Sequence, residues 1–398
     1  MKFFLLAAVV AFGLFLVLPL FQMATGVPAD YALAGVETEA APPASSLTGW
    51  WNGTLQAEFD AWIGRQIGLR GMLVRTANQF NYSLFGELPR RGGTPVVRGR
   101  DGYLYEQAYV DAYRKKGKRS AADLRVRSAD IRRLQDRLAA DGIAFLLVIA
   151  PSKAEIYPEF LPPEADVAGR SQRRSNYENV IGYLRQDGVN LVDAHALFRE
   201  WKSEPGAPAL FTKGGTHWNH YGAARVVELV AARLRELTGK DLPGLRVVGS
   251  VTNRTVVDSD NDLGELVNIW RGDALAGPQV HPVIEKQAGS YLPGVLFVGD
   301  SFVFTLTNLM DREQLYRRRD TFYYFKRRFA HPAAVDAPLD KSQLDLLQEV
   351  RGRDAVVIEV GEYWLPKIGF GFATELLKAY DALDAAAGGT KPYGAPSN

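Results

Sequence analysis

Ser301 has the local context that a nucleophilic serine requires. It ends the tripeptide GDS, which follows the apolar run VLFV at 295–298 and precedes a segment with helical periodicity. A serine at a strand-to-helix turn presents its hydroxyl at the edge of a sheet, and a backbone N–H beside it can stabilise an oxyanion. A serine in this position can also simply cap the helix that follows. The tripeptide alone leaves both interpretations open.

His217 is the candidate base, because a serine hydroxyl is a weak nucleophile unless a base lies within hydrogen-bond reach. It lies in KGGTHWNHYGA (213–223), between paired glycines and a segment with a strong helical pattern. The chain has 5 histidines. His281 and His331 precede prolines in sequence typical of loops, and His195 leads into a helix. His217 is therefore the histidine best placed for catalysis.

The composition disfavours thiol and metal chemistry. The chain contains no cysteine, which removes disulfides, thiolate nucleophiles and cysteine-type zinc sites. His217 and His220 form an HxxH pair, and Asp193 and His195 form a DxH pair. Neither pair matches the HExxH pattern that places two zinc ligands and a base on one helix. The sequence therefore predicts neither a metal nor another cofactor.

The charge balance argues against nucleic acid as a partner. The 398 residues include 47 Lys and Arg against 45 Asp and Glu, which gives a net charge of +2. Such a balance produces no field strong enough to attract a polyanion over the whole surface. The basic runs RKKGKR (114–119) and YRRR (316–319) are interpreted as solvated faces.

Strands that alternate with helices must position these residues. Apolar runs typical of buried strands occur at 143–151, 189–194, 295–300 and 354–360, and helical patterns occur at 120–138, 175–187 and 222–239. This alternation predicts an α/β fold with a mostly parallel sheet flanked by helices. In such sheets functional groups gather at the carboxyl ends of the strands, where Ser301 lies. Residues 240–290 show few clear periods.

The first residues predict an N-terminal membrane anchor. Lys2 precedes an apolar run from Phe3 to Phe21, which is on the border of the length that spans a bilayer. No clear small-x-small cleavage site follows, which favours an uncleaved signal anchor over a removed signal peptide. With Lys2 kept inside, the rest of the chain is expected in the periplasm of a bacterium, anchored to the inner membrane.

Composition divides the chain into five segments. These are a signal anchor at 1–24, a flexible tether at 25–47, a helical lead at 48–93 packed on the core, an α/β domain at 94–384 and a flexible tail at 385–398. The tether is rich in Ala, Pro and Ser. The α/β domain begins with a predicted hairpin that turns at Arg100-Asp101-Gly102.

Five motifs occur in a fixed order along the chain. They are FDAWIGRQIGLRGMLVRTANQFNYSLFG, GRDGYLYE, APSKAEIYPEFLP, THWNHYGA and GDSF, and the resemblance that they carry covers roughly residues 50–365. Together they resemble the SGNH-hydrolase-like alginate O-acetyltransferases, an AlgJ/AlgX-like family with relatives in exopolysaccharide acetylation. GDSF alone is weakly specific for this family, whereas the combination is strongly specific.

The resemblance implies an SGNH-hydrolase-like fold and a catalytic triad. Ser301 would take an acetyl group as an ester, and His217 would act as the general base. The family context also implies a polysaccharide substrate and a membrane-bound O-acyltransferase (MBOAT) partner that supplies the acetyl groups. The chain is accordingly expected to be a periplasmic polysaccharide O-acetyltransferase.

Gly215 departs from the family pattern, in which an aspartate usually stands two residues before the histidine. Three explanations remain open. The enzyme works as a Ser–His dyad, or a carboxylate from another segment orients His217, or the protein is an inactive member that binds polysaccharide or organises partners. The candidates for a replacement acid are Asp193, Asp262 and Glu362, which lie near strand ends or in loops.

Three further residues are predicted to bind substrate. Lys153 follows the first buried strand and can meet an anionic sugar, although a plain surface lysine is an equal alternative. Trp218 and Tyr221 can stack on sugar faces, although large aromatic residues near such turns are commonly core. Two other functions stay open: a non-catalytic polysaccharide-binding or scaffold protein, and an acetyl esterase, which needs the same fold and the same residues.

Overall fold

The computed structural model describes residues 2–35, 42–89, 96–165 and 174–386. Its contacts divide the chain into two compact units. The first unit comprises Met1–Val97 and Asp262–Leu275, and the second comprises Arg98–Asn261 and Ala276–Asn398. The sequence placed residues 262–275 inside the α/β domain, because no composition change marks them.

The helices of the described residues are α1 (Lys2–Thr25), α2 (Leu47–Asn52), α3 (Thr54–Gln66), α4 (Arg70–Phe85), α5 (Gln107–Tyr113), α6 (Ala121–Ala140), α7 (Lys153–Ile156), α8 (Asn176–Gln186), α9 (Ala194–Ser203), α10 (His220–Thr238), α11 (Asp262–Leu266), α12 (Phe302–Arg312), α13 (Leu346–Val350) and α14 (Phe372–Ala386). The helices predicted at 120–138, 175–187 and 222–239 are confirmed as α6, α8 and α10. The helical lead is confirmed as α2, α3 and α4, while residues 90–93 lie outside the described residues.

The strands are β1 (Val96–Arg98), β2 (Leu104–Glu106), β3 (Ala144–Ala150), β4 (Leu191–Asp193), β5 (Gly244–Asn253), β6 (Gln279–Gln287), β7 (Gly294–Gly299), β8 (Arg318–Tyr323), β9 (Arg327–His331), β10 (Val335–Pro338) and β11 (Ala355–Gly361). The predicted hairpin turn is confirmed between β1 and β2, where Asp101 and Gly102 adopt positive φ. The four apolar runs are confirmed as β3, β4, β7 and β11.

Residues 25–47 are not a flexible tether throughout. The carboxylate of Asp30 accepts hydrogen bonds from the N–H groups of Gly71 and Met72, at 2.8 and 3.1 Å. Ala34 and the side chain of Asn268 bond each other in both directions. The physical reason is that α4 has no side-chain cap of its own, so Asp30 satisfies the N–H groups of its first turn. Residues 36–41 lie outside the described residues, as do residues 387–398 of the predicted tail.

The predicted signal anchor, residues 1–24, coincides with α1. Within the described part of the chain, no helix has both the length and the apolar character that crossing a membrane requires.

The second unit is built on a seven-stranded sheet with the order β10-β9-β8-β7-β11-β3-β4. The strands from β8 to β4 are parallel, whereas β9 and β10 pair antiparallel at one edge. The prediction of a mostly parallel sheet is therefore confirmed, and the antiparallel strands β9 and β10 make the whole sheet a mixed one. A separate antiparallel pair is formed by β5 and β6.

The sequence missed β8 because its buried residues are charged. Arg319 and Asp320 are 6% and 1% exposed, and each finds an opposite charge. Arg319 pairs with Asp311 at 2.7 Å, and Asp320 pairs with Arg353 at 2.6 Å. Buried charges are tolerated only when they are paired in this way, and both partners lie outside the strand. The apolar pattern that identifies β3 and β11 is therefore absent.

The strand order places four loops at one edge of the sheet. The neighbours β7, β11, β3 and β4 are parallel, so their carboxyl ends lie side by side. The residues that follow them are Ser301, Glu362, Ser152 and His195. This edge is the place where ligands bind in open α/β sheets, and it contains the candidate site.

Candidate active site

Ser301 stands between β7 and α12 with its side chain uninvolved in capping. Its φ and ψ are −68° and −20°, and its hydroxyl makes no cap hydrogen bond. The cap is supplied by Asp300, whose Oδ1 accepts from the N–H of Phe302 at 3.0 Å. Ser301 is half-buried, so its hydroxyl is reachable beside the positive end of the helix. The capping interpretation of Ser301 is therefore wrong.

His217 reaches the same turn from another part of the chain. Its ring lies edge-on to the ring of Phe302, with 4.8 Å between the centroids. Burial raises the pKa of the Asp300 carboxyl, and His217 lies near enough to oppose part of that rise. The residues on both sides of Ser301 are thus neighbours of His217. The predicted base thus contacts the residue that follows the predicted nucleophile, and its role as the base for Ser301 stays a prediction.

Lys153 positions the loop that carries His217. Its Nζ donates to the carbonyls of Thr212 and Lys213 at 3.1 and 3.0 Å, and to the carbonyl of Gly215. Lys153 is only 3% exposed. An ammonium group has three protons to donate, and these three carbonyls use that capacity. The predicted contact of Lys153 with an anionic sugar is therefore replaced by an internal role.

Gly215 is enclosed by backbone and by Thr212. A Cβ at this position would lie 2.6 Å from Thr212 Oγ1 and 2.9 Å from the carbonyl oxygen of Asp260. The N–H of Gly215 donates to Thr212 Oγ1 at 2.9 Å, which holds the loop in this close approach. A side chain at position 215 requires this backbone to move. The backbone of this loop therefore leaves no room for an aspartate side chain at position 215.

Replacing Gly215 with aspartate is expected to destabilise the protein by roughly 1–3 kcal/mol, the cost of overpacking a filled site. The variant is not expected to gain acetyl-transfer activity. Thermal unfolding and acetyl release measure the two effects. Gly182→Asp is the matched control, because no atom lies within 4 Å of a Cβ at Gly182. A Gly215→Asp protein with parental stability and faster turnover would contradict the steric argument.

Two of the three predicted acids are engaged elsewhere. Asp193 accepts from the Tyr177 hydroxyl at 3.1 and 3.0 Å and pairs with Arg185 at 2.8 Å. Glu362 accepts from the Ser152 hydroxyl, and its Oε2 lies 2.7 Å from His195 Nε2. These contacts direct both carboxylates to the β3 and β4 side of the sheet edge.

Asp262 is the third predicted acid and belongs to the first unit. It begins α11, and its Oδ1 accepts from the N–H of Leu263 at 2.7 Å. Its role as the acid that orients His217 stays a prediction.

A buried carboxyl pair next to Ser301 was not anticipated. Asp300 and Glu359 are both 0% exposed, and the N–H of Asp300 donates to Glu359 Oε2 at 3.2 Å. Burial, and then the charge of Asp300, raises the pKa of Glu359 well above its ordinary value. Asp300 is better suited to carry the charge, because it accepts N–H bonds from Phe302 and Gly361. Glu359 is thus the protonated member, and the apolar pattern of β11 gave no separate signal for it.

Replacing Glu359 with glutamine is expected to change the pH dependence of stability. A raised pKa means that the folded chain binds more protons than the unfolded chain, so stability falls as pH rises above the ordinary value of 4.5. Glu359→Gln removes that loss because the amide stays neutral. Unfolding curves at a series of pH values should show the variant gaining on the parent as pH rises. The control is Glu200→Gln, on the exposed face of α9, whose unfolding free energy should follow the same pH dependence as the parent's. The same pH dependence in Glu359→Gln would refute the raised pKa of Glu359.

Trp218 and Tyr221 are core residues, which corrects the prediction that they stack on sugars. Trp218 is 0% exposed and Tyr221 is 8% exposed. The Trp218 ring packs against Phe198 of α9 and Phe302 of α12, with centroids 5.9 and 5.4 Å apart. The indole fills the space between these helices, so it holds the neighbour of Ser301 in place.

Tyr324 is a site residue that the sequence reasoning missed. Its phenol lies close enough to the Ser301 side chain to interact with it. Burial, and then the charge of Asp300, raises its pKa, so the phenol stays neutral and remains a donor. A signal existed in the sequence, since Tyr324 directly follows β8, the parallel neighbour of β7. Because β8 was not recognised as a strand, Tyr324 was not recognised as a residue at a strand end.

The described residues contain no group of three or more His, Cys, Asp or Glu side chains arranged to hold a metal ion. His220 of the HxxH pair is 3% exposed and contacts Asp258 at 2.9 Å. Asp258 also pairs with Arg312 at 2.8 Å, so these three side chains form one ionic cluster. The arrangement at Ser301 and His217 suits nucleophilic transfer of an acyl group.

The family model described as the SGNH hydrolase-like domain of the acetyltransferase AlgX matches residues 96–312, more than half of the chain. The probable alginate O-acetylase AlgJ of Pseudomonas aeruginosa is 28% identical over 221 residues, which cover 55% of this chain and 53% of that protein. The alginate biosynthesis protein AlgX of the same species is 30% identical over 148 residues, 37% of this chain and 29% of that protein. The chain thus spans about half, or less, of the length of these curated relatives.

Among solved structures, the O-acetyltransferase domain of Pseudomonas putida AlgJ is similar to this chain. The alignment covers 71% of this chain and 99% of that domain, with 18% identity and a TM-score of 0.44.

Proposed function

The chain belongs to the family of the SGNH hydrolase-like acetyltransferase AlgX, and from that premise we propose that it is a serine-type O-acetyltransferase acting on an exported polysaccharide. The observation that carries the proposal is the turn at Ser301. The hydroxyl lies at the start of α12, and His217 contacts Phe302 and influences Asp300. The proposed nucleophile lies at a helix N-terminus, and the proposed base contacts the residue that follows it.

In the first half-reaction Ser301 Oγ attacks the carbonyl carbon of an acetyl donor, and His217 takes the hydroxyl proton. The bond between the acetyl group and the donor's leaving atom then breaks, and His217 returns the proton to that atom. N–H groups at the start of α12 and the neutral Tyr324 phenol are the proposed donors to the oxyanion. In the second half-reaction a sugar hydroxyl attacks the carbonyl carbon of the Ser301 ester and His217 takes its proton. The ester bond to Ser301 then breaks, and His217 returns the proton to Ser301 Oγ.

Trapping the acetyl-enzyme tests this proposal. The full chain is mixed with a chromogenic acetyl ester, quenched in acid, digested and examined by mass spectrometry. The expected result is one acetyl group on the peptide that contains Ser301, and none on that peptide in Ser301→Ala. Turnover without an acetylated Ser301, or acetylation that persists elsewhere with full turnover, would overturn the mechanism.

The non-catalytic alternative is favoured by one observation, the closed space at Gly215. It predicts polysaccharide binding without an acetyl-enzyme under any donor. The esterase alternative predicts an acetyl-enzyme that water resolves at the same rate with or without an acceptor polysaccharide. Adding an acceptor to the trapping experiment therefore separates all three functions.

The proposed location is the periplasm, reached through the N-terminal apolar segment, with an MBOAT-type membrane protein as the acetyl source. The names of the relatives AlgJ and AlgX point to alginate, and an alginate-like acceptor is part of the proposal. Cell fractionation and co-purification with the membrane acyltransferase are the measurements. Recovery of the chain in the cytoplasmic fraction would contradict the location.

A further inference from the structure

A lysine-rich pocket of about 180 Å³ lies in the second unit at the same edge of the sheet. One wall is the loop after α5, the second is the segment after β11, and the third is the start of α8. The residues that form these walls and are used below are Lys115, Lys116, Lys118, Arg119, Trp364 and Lys367. The run RKKGKR (114–119), which contains the first four of these residues, was predicted to be a solvated face.

The loop after α5 is folded back on itself and fixed in place. Lys115 has φ of 60° and Gly117 has φ of 69°, which reverses the chain direction. The N–H groups of Lys115 and Lys116 donate to the carbonyls of Ala112 and Asp111 at 2.7 and 2.9 Å. The N–H of Arg119 donates to the Asn176 side chain at 3.0 Å. These hydrogen bonds fix the backbone of the loop, and its cationic side chains therefore form one defined wall of the pocket.

The cations of the pocket exceed the acids that neutralise them. Lys115 pairs with Glu178 at 3.2 Å, and Lys116 pairs with Asp111 at 2.9 Å. Lys118, Arg119 and Lys367 have no acidic partner within the part of the chain that the structure describes. The pocket thus has a surplus of positive charge that an anionic ligand can neutralise.

The acids in the pocket wall do not cancel this surplus. Glu362 directs its carboxylate to His195 and to Ser152, and Glu155 pairs with Arg199 at 2.9 Å.

An aromatic path connects the pocket with Ser301. Lys367 Nζ lies 5.3 Å from the centre of the Trp364 ring. The Trp364 ring is in turn 5.3 Å from the ring of Tyr324, which interacts with the Ser301 side chain. Aromatic faces beside cations are suited to a sugar ring that carries a negative charge. A chain of sugars bound in the pocket can therefore extend past Trp364 and Tyr324 to the serine.

We infer that the lysine-rich pocket is a second subsite, separate from the Ser301 centre, that binds a carboxylate-bearing sugar residue of the acceptor chain. Lys118, Arg119 and Lys367 bind the carboxylate, and Trp364 packs on the sugar ring. The inference rests on the proposed function for its acceptor chain. The affinity for the acceptor chain then depends on the positive charge of the lysine-rich pocket, which lies away from the sugar hydroxyl that reacts.

Equilibrium binding to the full-length Ser301→Ala protein tests the subsite without turnover. The probes are a fluorescent mannuronate oligomer and the neutral mannose oligomer of the same length, which differ in their carboxylates. Binding of the mannuronate oligomer is expected to be about tenfold tighter or more, and to weaken as salt is added. Lys118→Gln, Arg119→Gln and Lys367→Gln together should weaken it by about tenfold or more. The matched control is Arg254→Gln, Lys286→Gln and Lys378→Gln together, three exposed cations away from the pocket, which should bind as the parent does.

Equal binding of the two oligomers, or parental affinity in the triple variant, would overturn the subsite. Acetyl-enzyme formation from a small ester, measured with the triple variant in the Ser301 background, should stay at the parental rate. If the acetyl-enzyme never forms but binding depends on the three cations, the proposed reaction fails and the subsite stands. If the acetyl-enzyme forms and binding ignores the three cations, the subsite fails and the reaction stands.

Discussion

Ser301→Ala is expected to lower acetyl release from a small ester by about a thousandfold or more, because the proposed ester intermediate forms on the Ser301 hydroxyl. Folding should be unaffected, since the hydroxyl does not cap α12 and Asp300 supplies that hydrogen bond. A change in unfolding free energy within about 0.5 kcal/mol is the expected result. Initial rates and thermal unfolding, measured on the same preparation, check both statements.

The control for this substitution is Ser250→Ala, at an exposed position of β5. It removes the same hydroxyl from a place with no proposed chemistry and should retain the parental rate. A Ser301→Ala protein that turns over at the parental rate would assign the nucleophile to a different residue. A drop in activity that accompanies loss of folding would instead show that Ser301 supports the turn, contrary to its lack of a capping bond.

His217→Ala is expected to lower acetyl release by about 10³-fold to 10⁴-fold, because the serine then lacks its base. The edge-on contact with Phe302 is also lost, which costs roughly 0.5–1.5 kcal/mol. His217→Gln preserves more of the side-chain volume and separates the two effects: its activity should stay low while its stability recovers. His281→Ala is the control, since that histidine bonds Asn253 on the β5–β6 pair. Parental activity in His217→Gln would remove His217 from the mechanism.

The acid behind His217 can be tested in the same series. Asp193 and Glu362 bond Tyr177 and His195, so Asp262 is the predicted acid to replace first. If a carboxylate from another segment orients His217 and Asp262 is that acid, Asp262→Asn lowers the rate by about a hundredfold or more, because the tautomer and the developing charge of the imidazole lose support. Asp193→Asn is the matched control. A parental rate in Asp262→Asn would favour a Ser–His dyad.

The candidate site combines features that differ in how far local sequence can reveal them. The strands β3, β4, β7 and β11 were predictable because a strand covered on both faces must be apolar along its whole length. Ser301 was predictable for the same reason, since the end of a buried strand marks the functional edge. Gly215 was recognised as a departure from the family pattern, but its cause was not. The contact with Asp260 comes from a segment far along the chain.

The sequence by itself determined the α/β class, the strand ends and the family, and it identified Ser301 and His217 as the candidate nucleophile and base. All of these depend on short apolar runs or motifs, which can be recognised from residues that are close together in the sequence. Tertiary structure alone decided that Lys153 holds the His217 loop, that Trp218 is core, and that Glu359 lies against Asp300. It also decided that the cations of 115–119 meet Trp364 and Lys367 in one pocket. The order β7-β11-β3-β4 creates these neighbours, and strand order is set by packing of the whole sheet, which no local pattern encodes.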